Sequence, residues 1–438
     1  MENTVKHFTL KLAAAATLSA ALSSAAVAGG FMLTEQSVAG LGRAYAGAGI
    51  VGDDLSAVWY NPAGMSLLSG TAVQMGAVVA DLDLEVTTNS SATFDNGRNG
   101  TKENGRKHGV PIPNMYLVHQ IKDDMWFGLG ITVPFGMATE YDNNWAAADK
   151  GMNAEVKVFD INPNVAFKLT DTLSFGAGVS LQYVTAQFEQ KSALPGGANA
   201  KDYNMRVRLN ADGWAWGGNL GFMWQPTENV RVGFAYRSQV NHKADGYLKT
   251  DLTYAGQTAS IKSNDGHAEM SAPHVITLTG TWKATEALRL SSLVRWTNWS
   301  SFDKLPISGS SLYAATSQLR RPTDKTEATY KWKDSWLFTV GADYDINDEF
   351  TVRGGVGYEI SPVDDDKYRS ATIPDTDRLW LSMGATWHAS KNLQGDFGIA
   401  YLKGIGNKDL YKDKGGKVAE FDKLDAILWG AQFVYKFD

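Results

Sequence analysis

The 438-residue chain has no cysteine, which excludes disulfides, thiolate metal sites and cysteine nucleophiles. Beyond its first 28 residues it has no run of roughly 18 uninterrupted apolar residues, so no membrane-spanning helix is expected there. It has no basic excess: 41 Lys and Arg against 47 Asp and Glu leave a net charge of −6, which argues against nucleic acid as a partner. Enzyme signatures are missing too. There is no G-x-S-x-G, and Gly47 to Gly52 matches G-x-G-x-x-G but follows no strand and opens no helix. His108, His119, His242, His267, His274 and His388 are scattered without metal-ligand spacing. Asp364-Asp365-Asp366 reads as a solvated turn. No catalytic activity, metal site or cofactor is therefore expected.

What is abundant is aromatic side chains and glycine: 14 Trp, 17 Tyr, 18 Phe and 44 Gly, against 12 Pro. That mixture suits many strands, tight turns and aromatic girdles at two membrane interfaces. The chain opens with an export signal. Lys6 and Lys11 supply positive charge, Leu12 to Leu22 is mainly apolar, and Ala26-Val27-Ala28 is an A-x-A cleavage site, so the mature chain is expected to begin at Gly29. The run is too short for a retained helix, and no cysteine follows for a lipid anchor.

After Leu68 the pattern turns to period two. Met125, Phe127, Leu129, Ile131 and Val133 alternate with Trp126, Gly128, Gly130 and Thr132. Leu379, Leu381, Met383, Ala385 and Trp387 do the same, as do Ile427, Trp429, Ala431, Phe433, Tyr435 and Phe437. An apolar face opposite a small or polar face suits a wall with lipid outside and a wet lumen inside. About 14 such segments are expected, beginning near Thr71, Val110, Asp124, Ala154, Thr172, Asn204, Asn229, Gly266, Glu286, Thr326, Glu349, Asp375, Asn392 and Leu424. Short connections such as Thr170-Asp171-Thr172 alternate with long ones such as Glu140 to Asn153. The fold class is an all-β transmembrane antiparallel barrel, with a signal at 1–28, a plug at 29–70 and the barrel at 71–438. A monomer in outer-membrane lipid and lipopolysaccharide is expected.

Five local features bear on function. Gly29 to Leu68 is rich in Gly and Ala without sustained period and reads as a plug. Val133-Pro134-Phe135-Gly136 interrupts a regular strand: Pro removes a ladder donor and Gly permits a bend, so this is either an ordinary bulge or a break in the wall. Phe31, Met32 and Leu33, at the mature N-terminus, either touch an apolar ligand or pack the plug. Trp145, Ala146 to Ala148 and Met152 form an apolar patch in an outer loop, for first contact with a ligand or for loop packing. Asn61-Pro62-Ala63 is a turn signature.

Gly30-Phe31 through Gly40-Leu41-Gly42-Arg43-Ala44-Tyr45-Ala46-Gly47, Asn61-Pro62-Ala63, Gly128 to Thr132 with Gly136 to Tyr141, and Arg369-Ser370, Ile373-Pro374-Asp375, Asp377-Arg378 with Trp380 to Ser382 together resemble the FadL-type outer-membrane transporters of long-chain fatty acids and other hydrophobic compounds. The resemblance spans nearly the whole mature chain in order. It implies a plugged barrel that passes apolar molecules without coupled energy. Ligand would adsorb among the outer loops, move to a pocket near the mature N-terminus, and leave through a gap at the kinked third strand. It also implies that Asn61-Pro62-Ala63 braces the plug against that strand. Long-chain fatty acid is the leading cargo and monoaromatic hydrocarbon the alternative. Lys331, Lys333, Arg206 and Arg208 are candidates for a carboxylate, whereas Val184 to Gln187 lack the basic side chains that fatty-acid members tend to carry there, which favours a neutral ligand. A lipid hydrolase and an open porin are the competing classes. The first would need a Ser–His pair; the second would conduct ions.

Overall fold

The computed structural model describes residues 29–94, 102–105, 109–194, 200–412 and 415–437. The expected signal at 1–28 and His108 lie outside the described residues. Fourteen antiparallel strands form a closed barrel. They are β1 (Thr71–Thr88), β2 (Val110–Lys122), β3 (Met125–Glu140), β4 (Asn153–Lys168), β5 (Leu173–Ala193), β6 (Asn204–Thr227), β7 (Val230–Arg237 and Val240–Tyr254) and β8 (Gln257–Ala272 and Val275–Lys283). There follow β9 (Leu288–Thr297 and Lys304–Ser308), β10 (Lys325–Thr329 and Ser335–Asp345), β11 (Phe350–Ile360), β12 (Asp377–His388), β13 (Leu393–Ile405 and Asp409–Tyr411) and β14 (Lys417–Lys436). β14 closes on β1, from Ala72 opposite Lys436 to Thr88 opposite Ala419.

Two starts differ from the sequence expectation. β8 begins at Gln257 rather than Gly266, and β14 at Lys417 rather than Leu424. From Gln257 to Asp265 both faces of β8 are largely open, so a strand there needs no apolar alternation and shows none.

The alternation has the expected sense. Leu379, Leu381 and Met383 are 44%, 57% and 65% exposed, while Arg378 and Trp380, which alternate with them, are buried. Apolar side chains thus face outward, as a lipid-facing wall requires. Trp224, Trp282, Phe350, Trp387 and Phe437 are exposed beside the short turns, in the position of an aromatic girdle.

The plug fills the bore. It is almost wholly buried and contains two single-turn helices, α1 (Val38–Leu41) and α2 (Ala57–Tyr60), followed by a 3-10 turn over Pro62–Leu67. Ser37 caps α1, its hydroxyl accepting from the Gly40 N–H at 2.8 Å. Asn61 caps the 3-10 turn by accepting from Ala63 N–H at 3.1 Å, with Pro62 in the first position, where its missing donor costs nothing.

The wall glycines make room for this backbone. A Cβ at Gly221 would lie 2.0 Å from Asn61 Oδ1, one at Gly355 2.3 Å from the Arg43 backbone, and one at Gly176 2.6 Å from the Pro62 carbonyl carbon. The plug is also tied to the closing seam. Gln74 on β1 accepts from Leu55 N–H at 2.8 Å, Gln432 on β14 accepts from Val38 N–H at 2.7 Å, and the two glutamines bond each other at 3.2 Å.

Candidate functional site

The wall is broken between β2 and β3. These strands pair from Lys122 opposite Met125 up to Met115 opposite Ile131, and no further among the described residues. Above that point Val110 to Asn114 pairs, among the described residues, only with β1, and β3 turns aside. Its ladder with β4 sets Val133 and Pro134 against the single residue Phe159, a two-against-one bulge. Five residues of β2 therefore present an open edge roughly 17 Å long at the usual rise per residue.

That edge is stripped of donors. In an antiparallel strand the N–H and C=O of one residue point to the same neighbour, and successive residues alternate. Gln120 N–H donates to Gly70 O, toward β1, at 2.8 Å. The β1–β2 register runs unshifted from His119 to Val110, so even-numbered residues bond β1 and odd-numbered ones face the break. The odd positions above Met115 are Pro113 and Pro111, which have no N–H.

The plug occupies the matching edge of β3. Met32 bridges Phe135 as an isolated antiparallel pair. Leu33 N–H donates to Pro134 O at 2.8 Å, and Gly136 N–H donates to Phe31 O at 2.9 Å. Gln36 Nε2 donates to Val133 O at 2.8 Å. The groups that the bulge frees on β3 are thus satisfied from inside by residues 31, 33 and 36.

Phe31 lies in an aromatic cage. Its ring centroid is 4.6 Å from Trp299, 5.3 Å from Phe302, 5.9 Å from Phe135 and 6.2 Å from Trp332. Trp299 and Phe302 come from the interruption of β9, and Trp332 from that of β10. Above the cage, Tyr330 packs 4.9 Å from Phe302 and also lines a cavity of about 500 Å³ beneath the outer loops. Phe188, Met205, Leu305 and Ile307 share that cavity with Lys304, Lys331 and Lys367. Apolar surface therefore leads from the outer cavity past Tyr330 to the cage, and from Phe135 to the break.

The N-terminal backbone is held by acids. Gly29 N donates to Glu359 Oε1 at 3.0 Å and Gly30 N to Asp375 Oδ2 at 2.7 Å. Burial pushes the Asp375 carboxyl up to about 6 against the pull of Arg378. Burial likewise pushes Glu35 up to about 7, and neither of its oxygens has a hydrogen-bond partner among the described residues.

On the opposite side a charged cluster fastens the plug. Arg43 pairs with Asp53 at 2.5 Å and with Asp343 on β10 at 3.2 Å. Arg353 on β11 pairs with Asp343 at 3.2 Å and with Asp396 on β13 at 3.5 Å. The plug is thus fixed by charge to β10 through Arg43–Asp343 and to β11 through Asp53–Arg353, and by backbone bonds and Gln36 to β3.

The sequence-derived residues fall as follows. Phe31, Leu33, Pro134, Phe135 and Gly136 meet at the break. Asn61 does not brace the plug against β3. Its Nδ2 donates to Phe222 O on β6 at 3.0 Å and to Phe234 O on β7 at 3.3 Å, because Gly221 and Gly233 open the inner surface there. Pro62 and Ala63 lie against β5 at Gly176, and the plug meets β3 instead through Val58 and Met65 at Gly128.

Trp145 and Met152 are buried, 1% and 2% exposed. Trp145 stacks on Tyr141 at 4.5 Å and donates to Gly151 O at 3.1 Å. Tyr141 in turn donates to Ala371 O at 2.8 Å across the mouth. Both side chains pack loop against loop rather than line the cavity.

Of the four basic candidates, Arg206 is paired with Glu189, Arg208 with Asp251 and Lys333 with Asp364. Lys331 lines the cavity and faces the Tyr368 ring at 5.1 Å. Sequence reading missed Pro111, Pro113, Arg43 and the cage. A signal existed for the charged cluster, since Asp343, Arg353 and Asp396 sit at inward positions of otherwise apolar-alternating strands.

Residues 19–437 match the family model described as outer membrane protein transport protein (OMPP1/FadL/TodX). Outer membrane protein P1 of Haemophilus influenzae is 30% identical over 91% of each chain. The long-chain fatty acid transport protein of Escherichia coli K12 is 29% identical over 95% of this chain and 96% of its own. Among solved structures, a Pseudomonas aeruginosa FadL homologue superposes with a TM-score of 0.79 at 23% identity, covering 93% of this chain and all of that one. The Pseudomonas putida toluene transporter TodX gives 0.69 at 17% identity, covering 88% of this chain and 94% of that one.

Proposed function

The chain belongs to the OMPP1/FadL/TodX family of outer membrane transport proteins, and on that footing we propose that it admits long-chain fatty acids through the outer membrane by sideways exit at the β2–β3 break. Transport of hydrophobic compounds by an outer-membrane barrel comes with the family.

The observation that carries the route is the unpaired β2 edge opposite the bulge at Val133 and Pro134. An open sheet edge in hydrocarbon is normally too costly to survive, because each unmet backbone group has no water to bond. Here one edge lacks donors and the other is covered by residues 31–36. A hydrophobic molecule gains about 0.8 kcal/mol per buried CH₂, so a path through the cage to lipid keeps its tail out of water throughout. Detaching the Phe31–Leu33 peptide would free both the cage and the break, which makes this peptide the gate.

Two observations support the fatty acid. The E. coli relative, matched over nearly its whole length, carries that function in its name, and Lys331 offers the outer cavity a cation with no carboxylate against it among the described residues. Monoaromatic hydrocarbon is the second reading. The cage already holds a phenyl ring, that of Phe31.

The route is tested by straightening β3 with Pro134→Val and Gly136→Val. Uptake of oleate by cells expressing this variant should fall to background while the barrel still folds. Wild-type uptake by a folded variant would overturn sideways exit. Parallel uptake of toluene by the unmodified protein separates the cargoes.

A further inference from the structure

We propose that Glu359 and Asp375 form a socket for the α-ammonium that cleavage after Ala28 creates at Gly29, and that this ion pair seats the gate peptide. The proposal rests on the expected cleavage site.

Charge counting supports it. Around the N-terminal backbone lie three buried carboxylates, Glu35, Glu359 and Asp375, the last two at 2% and 0% exposure. Two cations answer them. Arg378 lies 2.6 Å from Asp375 and 3.6 Å from Glu359, and Arg295 lies 3.5 Å from Glu359. Arg369, which donates to the Asp375 carbonyl, is paired with Asp366. Arg378 and Arg295 balance Glu359 and Asp375; once Glu35, whose carboxyl burial pushes up to about 7, ionises, the cluster is one positive charge short among the described residues, and an uncompensated charge is costly to bury. An ammonium on Gly29, whose nitrogen is already 3.0 Å from Glu359 Oε1, supplies that charge. An internal amide there does not.

Shape agrees with charge. A Cβ on Gly29 would press against Glu359 Oε1 at 3.0 Å. Gly30 has φ of +67°, and a Cβ there would lie 2.7 Å from the Trp299 ring. Glycine is required at position 30, where it turns the chain so that Phe31 enters the cage, and glycine at 29 leaves the terminus its full room beside Glu359. Removal of the export signal would thereby arm the gate as well as release the protein.

The test uses purified protein in detergent. Mass spectrometry first reads the N-terminus; a start other than Gly29 overturns the proposal through its premise, separately from the socket itself. The rate of α-amine acylation by an N-hydroxysuccinimide ester is then followed against pH, folded and after heating in dodecyl sulfate. Burial alone lowers an amine's pKa, whereas a carboxylate socket raises it. In the folded protein the labelling profile should sit above the ordinary α-amino range of about 7.7–8.0, and the rate at neutral pH should be at least tenfold below that of the unfolded chain. In Glu359→Gln/Asp375→Asn the rate should rise at least tenfold, while Glu359→Asp stays near wild type. A folded wild-type profile at or below the ordinary range overturns the socket even if the double variant does not fold. So does a folded double variant that labels at the wild-type rate.

Discussion

Replacing Pro111 and Pro113 together by valine should zip the break shut. Both side chains are half-buried on the outward face, where valine is compatible with lipid and with a strand. The change restores two N–H groups on the edge that faces β3. A ladder hydrogen bond is worth about 0.5–1.5 kcal/mol net, so two favour the closed wall by about 1–3 kcal/mol. At 1.4 kcal/mol per tenfold, the open population falls by a factor of roughly 5 to 150. An unmet donor in hydrocarbon costs several kcal/mol, which pushes the effect toward the upper end. Closure also competes with the plug, because Pro134 O already accepts from Leu33 N–H. Oleate uptake by cells should therefore drop at least fivefold, and amide exchange at Leu33 should quicken as its acceptor is drawn away. Folding is checked by the heat-dependent gel mobility of barrels. Unchanged uptake in a folded protein would refute the idea that the prolines keep the edge open.

Three further perturbations probe the other parts. Arg43→Met leaves Asp53 and Asp343 facing Arg353 alone; breaking one partner of a buried pair costs about 3–5 kcal/mol, so the plug should loosen and bilayer conductance should rise from near silence. Phe31→Ala empties a fully buried aromatic site, a change that costs about 3–5 kcal/mol in cores; amide exchange at Leu33 and Gly136 should accelerate by at least a hundredfold, and exchange at the wild-type rate would show that the ring does not hold the peptide. Lys331→Met should weaken oleate binding and leave toluene untouched. Because Lys331 is exposed to the cavity, screening limits the loss to about 1 kcal/mol, roughly fivefold, read by fluorescent fatty-acid displacement.

The barrel was legible because its signal is local. Leu379, Leu381 and Met383 point outward for the same reason that any strand alternates, and lipid demands apolar side chains at each outward step. The interruption at Val133 to Gly136 was legible because proline and glycine are punctuation whatever the tertiary setting. What escaped was what depends on a partner distant in sequence. The two prolines of β2 are unremarkable until it is known which neighbour each odd residue faces, and that follows from one bond, Gln120 to Gly70. Trp299, Phe302 and Trp332 sit in short irregular stretches of β9 and β10 and converge only because Phe31 is there to receive them. Asn61 bonds β6 and β7 rather than β3, and a turn signature cannot show this, because it fixes its own backbone and says nothing of which carbonyls lie opposite.

The bond between Gln74 and Gln432, each also holding a plug amide, bears on biogenesis. These residues belong to the first and last strands, whose meeting is the final covalently distant step in making the cylinder. Helix α1 and the entry to α2 are tied to that join, and glycines elsewhere leave no slack for a late arrival. Zippering of the two end strands and docking of Gly29 to Leu68 therefore draw on the same two glutamines and stabilise each other.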